Sequence, residues 1–401
     1  TNGIMFRTVG FNGVTYHTLQ AVDKSGSEVV LSTGYAGPVT VYAGNKDRIV
    51  VCGPDEVLVP GSPYGKQLVS QTTIYAGAGF NVTVYLTDAY YNKVLLDEPT
   101  VQIVAPNEYP EGTNVKLAEG QLAAGERTFY SLKLYKAATQ QLKVDDIDDV
   151  LPNYTSTSTI VKITPQKATK LLLVLDEETH RPGKGPQQGN TPYGKDSIGI
   201  IERTAGVPFN VTVYSCDDYY NISSTNTIVR IIPYSDVYAP TPVPATDTLI
   251  EKTTFSVTLV KRLDVSKLRV TDDIGYGGLL EYDDDGVNMR ARVKVKPNEA
   301  YRVLILAPGE NHEEGKYNQE PYGKTGSPIQ QVAGNFFTLE LRIVDEYYNL
   351  IVENPPSVSY TITSNDPNDG SAGPWSSEGA PDPISASFPA GSSTDSKDWK
   401  L

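Results

Sequence analysis

Thirteen residues, FNVTVYLTDAYYN from Phe80 to Asn92, return almost unchanged as FNVTVYSCDDYYN from Phe209 to Asn221. A looser copy, FTLELRIVDEYYN, runs from Phe337 to Asn349. PYGK keeps the same rhythm at Pro63, Pro192 and Pro321, each 129 residues after the last. A fixed period constrains the fold before any local motif is read, because each repeat must be a packed module of the same kind. The 401 residues hold about three such periods, which suits a chain of about three domains.

Every period reads in the same order. An apolar run comes first: RIVVCGPDE from Arg48, KLLLVLDEE from Lys170, RVLILAPGE from Arg302. A Gly/Pro loop ending in PYGK follows, then the FNVTV run, the DxYYN corner and a further apolar run (VQIVA, IVRII, VSYTI). A long polar loop leads to TFYSLKL or TFSVTLV, to LKVDD or LRVTD, and to IVKITP or RVKVKP. Short runs rich in Val, Thr and Tyr between Gly and Pro turns predict strands, and almost nothing repeats at 3.6 residues. The expected fold is all-β: tandem immunoglobulin-like β-sandwiches.

Alternation along a strand sorts its side chains onto two faces. Phe80, Val82, Val84 and Leu86 share the core face, as do Phe209, Val211 and Val213, and Phe337, Leu339, Leu341 and Ile343. Asn81, Thr83, Tyr85 and Thr87 face outward, with Asn210, Thr212, Tyr214 and Cys216. The Asp and Asn of the corner suit a turn, since their side chains bond nearby amides. One Tyr ring is expected to cover the end of the sandwich and the other to meet solvent.

The predicted organisation is residues 1–46 as the C-terminal part of a module, 47–166 and 167–298 as complete modules, and 299–401 as the N-terminal part of another with a Gly/Ser/Pro/Asp-rich tail. In this alignment Thr15-Tyr16 stands where Thr128-Phe129 stands, and PVTVYAG where TIVKITP stands. FPAGSSTDSKDWKL at the end resembles QLAAGERTFYSLKL at Gln121–Leu134. Two readings stay open: a piece of a longer array, or a split module in which the tail of one chain is completed by the head of the next. The chain opens on Thr1 with no signal peptide, as a processed or partial chain does.

A net charge of -14 repels phosphate backbones, so nucleic-acid binding is not expected. No apolar run reaches the roughly 20 residues of a membrane-spanning helix. Two cysteines, Cys52 and Cys216, lie in different periods and supply neither a disulfide framework nor a Cys-based metal site. Cys52 reads as a small core residue, Cys216 as outward-facing. His17, His180 and His312 are expected in solvent, since no nucleophile elbow or oxyanion-type glycine motif accompanies them.

The acidic clusters offer oxygen ligands that would suit Ca²⁺: Asp145 and Asp146, Asp272 and Asp273, Asp283 and Asp284. None has EF-hand spacing, and solvated charge at module ends is the competing reading. Asn81, Asn153, Asn210 and Asn221 satisfy N-x-[ST] and are the glycosylation candidates. Matching positions also raise a covalent Lys–Asn link between Lys66, Lys195 or Lys324 and Asn92, Asn221 or Asn349, against the plainer reading of water-exposed loop lysines. No cofactor is expected.

The stretch LAPGENHEEGKYNQEPYGKTGSPIQQVAGNFFTLELRIVDEYYNLIV from Leu306, followed by ITSNDPND, resembles the bacterial Ig-like repeat domains of very long secreted or cell-surface proteins. Ala76-Gly77 before Phe80 and Ala205-Gly206 before Phe209 carry weaker versions of the same pattern. The first period has PDE where that family has PGE, and Tyr-Tyr stands where the family often has Trp. The resemblance implies an extracellular or cell-surface, modular, non-catalytic protein.

The expectation is a structural protein that builds a surface array, sheath or fibre and associates with its own neighbours. Alternatives are an adhesin binding glycan or protein through the loops Pro106–Leu122 and Tyr234–Ile250, or a spacer within a larger secreted enzyme.

Overall fold

The computed structural model describes residues 5–8, 15–24, 26, 31–148, 155–189, 192–196, 199–272, 291–365 and 384–400. They group into two compact units. One comprises Thr1–Ala168 with Arg181–Lys195 and Cys216–Ser223; the other comprises Thr169–His180, Asp196–Ser215 and Ser224–Leu401. Two pieces of the second period thus pack with the first unit. Strands dominate, and among the described residues no helix is long and apolar enough to cross a membrane.

The first unit holds a closed β-sandwich. One sheet runs in the order Glu126–Leu132, Phe80–Thr87, Arg48–Cys52, Thr155–Ser156. The other runs Ile74–Tyr75, Ser158–Thr164, Thr139–Asp146, Thr100–Ala105, Val115–Gln121. Neighbours are antiparallel except at two closing seams, where Thr155–Ser156 lies parallel to Arg48–Cys52 and Ile74–Tyr75 parallel to Ser158–Thr164. The beginning and end of the period therefore pair with each other in both sheets. Between the sheets lie Ile49, Val51, Phe80, Val82, Val84, Leu86, Ile103, Phe129, Leu142, Val144, Val161 and Ile163. The alternation read from FNVTV is the core face.

In the second unit the same arrangement recurs. Lys170–Leu175, Phe209–Cys216 and Lys252–Val257 form one sheet; Ile201–Thr204, Ala291–Lys296, Leu263–Asp272, Thr227–Pro233 and Asp247–Leu249 form the other. The third period has the first sheet, Arg302–Leu306, Phe336–Val344 and Thr394–Lys400, and one strand pair of the second, Ser359–Ile362 with Ile384–Ser387.

Near the chain start, Thr15–Ala21 pairs antiparallel with Gly34–Val41, with Thr15 opposite Val41 and Ala21 opposite Gly34. This is the pairing of Thr139–Asp146 with Ser158–Thr164. The alignment of Thr15-Tyr16 with Thr128-Phe129 is therefore corrected: Thr15–Ala21 matches the strand after that one. A Thr-aromatic dipeptide recurs easily in a chain this rich in Thr and Tyr, whereas strand pairing is not ambiguous.

The outward face of the central strand also needs correcting at its end. Thr87, Cys216 and Val344 are buried, because the chain after the corner folds back beside them through bridges to Lys93, Ile222 and Leu350. In the first period the loop carrying PYGK adds a small second core, Val50, Cys52 and Leu58 against Tyr85 and Tyr91. Cys52 is a core residue as expected, and burial pushes its thiol up to about 12.

Candidate functional site

The corner and PYGK, the two motifs that recur with the period, meet in space. Asp217 is fully buried, and its carboxylate accepts hydrogen bonds from the backbone amides of Tyr219 (2.9 Å) and Asn221 (3.0 Å) and from Asn221 Nδ2 (3.0 Å). A fourth donor arrives from the preceding period: the Gln166 amide, 3.0 Å away. Asn221 then reaches the preceding period itself. Its Nδ2 donates to Tyr135 O at 2.8 Å, and its Oδ1 accepts from the Ala137 amide at 2.7 Å. One Asp and one Asn thus pair a turn to the backbone of the module before it.

The third period repeats this bond for bond. Asp345 accepts from Tyr347 N, Asn349 N, Asn349 Nδ2 and the linker amide of Asn298. Asn349 donates to Val260 O and accepts from Arg262 N, both at 2.7 Å. Burial pushes the Asp345 carboxyl up from its ordinary value despite these amide bonds. In the first period Asp88 takes Tyr90 N, Asn92 N, Asn92 Nδ2 and Gly44 N, and Asn92 Nδ2 donates to Arg7 O at 2.9 Å.

The two tyrosines have different tasks. The second, Tyr91, Tyr220 or Tyr348, sits at φ of 65°, 62° and 64°, a left-handed turn that aims its ring at the glycine of PYGK. A Cβ on Gly65, Gly194 or Gly323 would lie 2.1, 2.5 or 2.2 Å from that ring, so only glycine fits. Arg48 and Arg302 close the far side of Tyr91 and Tyr348, with guanidinium carbons 4.8 and 4.4 Å from the ring centres. The first tyrosine covers the Ala-Gly turn of the preceding period: Tyr219 lies on Gly77 and Tyr347 on Gly206, each again leaving no space for a Cβ. Tyr135 and Tyr317 flank these rings at 4.9 and 5.0 Å between centres. Tyr90 is exposed and Tyr91 half-buried, as expected of a pair with one ring in solvent; Tyr219, Tyr347 and Tyr348 are half-buried and Tyr220 fully buried, which corrects that expectation for the second and third pairs.

Sequence reading missed the acid that holds the receiving strip. Glu108 accepts from the amides of Tyr135 and Lys136, and Asp236 from those of Val260 and Lys261. Both acids are buried at the base of the polar loops that were candidates for ligand binding. Burial pushes the Glu108 carboxyl up, opposed by these amides. The signal available was a lone acid after each Pro-containing strand end, which spacing does not distinguish from a solvated loop.

The other candidates fall elsewhere. Asn221 is corrected as a glycosylation site: it is buried and its amide is engaged in the corner. Asn81 and Asn210 are exposed on their strands, and Asn153 lies outside the described residues. Asp145 is exposed and Asp146 and Asp272 half-buried at equivalent strand ends; Asp146 and Asp272 each keep one buried oxygen without a hydrogen bond. Asp273, Asp283 and Asp284 lie outside the described residues. Among the described residues no group of three acids, histidines or cysteines could hold a metal ion.

The PYGK lysines are not water-exposed. Lys66 Nζ donates to Glu56 (2.9 Å), Val51 O and Ser158 O, Lys324 to Glu310 (2.9 Å), and Lys195 is buried. Lys66 and Lys324 thus bind a glutamate while Asn92 and Asn349 bind the corner aspartate, an arrangement that separates the groups a Lys–Asn link would join. The histidines are partnered too: His17 with Thr8 O and the Phe6 ring, His180 on Tyr214, His312 with Tyr348 O and Arg342.

No family model and no curated protein matches the chain. Similar solved structures include FdeC, an Escherichia coli adhesin, at 12% identity over 82% of this chain and 84% of that one, TM-score 0.27. Domains 4 and 5 of the S-layer protein SbsC match at 14% identity over 63% and 99%, TM-score 0.18, and a marsupial T cell receptor at 10% over 80% and 85%, TM-score 0.21. At TM-scores this low the likeness adds nothing to the strand pairings themselves.

Proposed function

We propose that this chain is a stretch of a non-catalytic, extracellular structural array whose Ig-like modules are locked in series by the DxYYN corner. The observation that supports it is the recurrence of one set of bonds: Asp to linker amide and Asn to the preceding strip, at Asp217 and Asn221 and again at Asp345 and Asn349. Side chains preserved for a joint are what a string of modules under tension requires, since neighbour contacts add to each module's own core. Electron microscopy of native material tests this. Filaments, sheaths or sheets built from evenly spaced beads are expected; single soluble particles attached to a catalytic domain would favour the spacer reading instead.

An adhesin is the second reading. It rests on a surface groove of about 570 Å³ lined from Arg230 to Thr246, where Tyr234 and Val237 are exposed. Glycan-array binding abolished by Val237→Asp would support it. Calcium at the acidic strand ends remains a proposal within either reading; a melting temperature unchanged by chelator removes it.

A further inference from the structure

The third sandwich is open where the others are closed. Val303 and Ile305, on its first strand, are each 37% exposed. Their counterparts Ile49 and Val51 in the first period are 0% exposed, and Leu171 and Leu173 in the second are 0% and 4%. In those periods the cover comes from two strands, Thr139–Asp146 with Ser158–Thr164 and Leu263–Asp272 with Ala291–Lys296. Among the described residues the third period has no such pair. Among the described residues Ser359–Ile362 is paired on one edge, by Ile384–Ser387, whereas Thr100–Ala105 is paired on both. The segment before Gly334 forms no strand, while its counterparts Ile74–Tyr75 and Ile201–Thr204 pair with the last strand of their periods. An open edge beside an uncovered apolar face invites strand addition.

The missing pair exists at the other end of the sequence. Thr15–Ala21 and Gly34–Val41 form a hairpin that is a two-stranded sheet among the described residues. Its Leu19, Val39 and Val41 stand where Leu142, Val161 and Ile163 are buried, and all three keep part of their surface exposed. Among the described residues no strand equivalent to Glu126–Leu132 accompanies the hairpin, and the third period has one as Thr394–Lys400. The described strands of the two pieces are thus complementary in kind.

The joint tells the same story. Tyr219 covers Gly77 and Tyr347 covers Gly206, but Gly334, the third glycine of the series, has nothing within 4 Å of where a Cβ would be. Tyr90, the first tyrosine of the series, is 41% exposed.

We infer that a second copy of this chain completes the third sandwich: its 15–41 hairpin enters as the two missing strands, and its Tyr90 then seats on Gly334. The contact is head-to-tail and does not close on itself, so it propagates. The inference rests on the array reading but fails separately from it.

Two variants of the full chain test it. Val39→Asp/Val41→Asp spoils the entering hairpin, and Val303→Glu/Ile305→Glu spoils the receiving face at positions already open to water. Light scattering of the unaltered chain is expected to show mass growing with concentration in multiples of 43.6 kDa. Each variant alone is expected to stay at one chain, and an equimolar mixture to give two chains and nothing longer. Tyr90→Ala is expected to weaken association about tenfold, the effect of losing one buried aromatic anchor. A Gln20→Cys chain and a Thr361→Cys chain are expected to cross-link only with each other, because their counterparts Lys143 and Val104 are paired. An unaltered chain that stays at one copy, or variants that still grow, would overturn the inference, and slow exchange of the Ala137 amide held by Asn221 in that same sample would leave the array reading standing.

Discussion

The closed sandwich of the first period and the open one of the third pair their first and central strands in the same register, yet they differ in what that sheet buries. In the first, Ile49 and Val51 are sealed; in the third, Val303 and Ile305 are each more than a third exposed. The strands themselves are equally well paired. What differs is the cover of that face: Thr139–Asp146 and Ser158–Thr164 supply it in the first period, and no such pair stands among the described residues of the third. The third period still packs Leu339, Leu341, Ile343, Phe388 and Trp399 into a core, so the difference is confined to the face of the first strand.

The largest effect that would sharpen the contrast is at the core. Leu142→Ala is expected to cost the closed sandwich about 2–5 kcal/mol in urea unfolding, as large-to-small core changes do. Val303→Ala in the isolated chain is expected to cost less than about 1 kcal/mol, because water already reaches the site. Equal losses at the two positions would erase the distinction.

Next comes the joint. Asn221→Ala leaves Tyr135 O and the Ala137 amide without their partner, and a buried group stripped in this way costs about 1–3 kcal/mol. Asn92→Ala removes the bond to Arg7 O in a corner whose first tyrosine is exposed, and a smaller loss is expected. Differential scanning calorimetry of the two variants ranks them.

The smallest effect is a titration confined to the open sandwich. His312 stands where the first period has Leu58 and is held by Tyr348 O and Arg342, with Nε2–H donating and Nδ1 accepting. Burial, with Arg342 adding to it, lowers its pKa below the ordinary value, while the Tyr348 carbonyl opposes. The folded form therefore keeps the ring neutral, and the unfolded chain takes the proton first. Stability is full above about pH 6.5 and falls as pH drops through that value toward the lower folded one. A His312→Gln chain is expected to lose this slope, and the closed sandwich never to show it.

Much of this architecture was legible in the sequence because a strand repeats every two residues and a module every 129. Phe80, Val82, Val84 and Leu86 declared a core face by alternation alone. The joint was not legible, although its letters were. Asp217 and Asn221 look like any Asx turn, and nothing local says that Asn221 bonds to Tyr135, 86 residues earlier. Cys216 was misplaced because alternation describes a strand and not the loop folded over its outer face. Lys66 and His312 were misplaced for the same reason: loop residues are expected in water unless a partner is visible, and Glu56 and Tyr348 become partners only once PYGK has folded back onto the sheet.

Amide hydrogen exchange at Ala137 and Arg262 tests the joint most directly. Both N–H groups are bound to a corner asparagine, so both should exchange slowly in the unaltered chain. Asn221→Ala should speed exchange at Ala137 by about 5–150-fold, the kinetic counterpart of losing about 1–3 kcal/mol, and leave Arg262 unchanged. An Ala137 amide that exchanges at the same rate in both chains would contradict the claim that the repeated corner is what holds successive modules together.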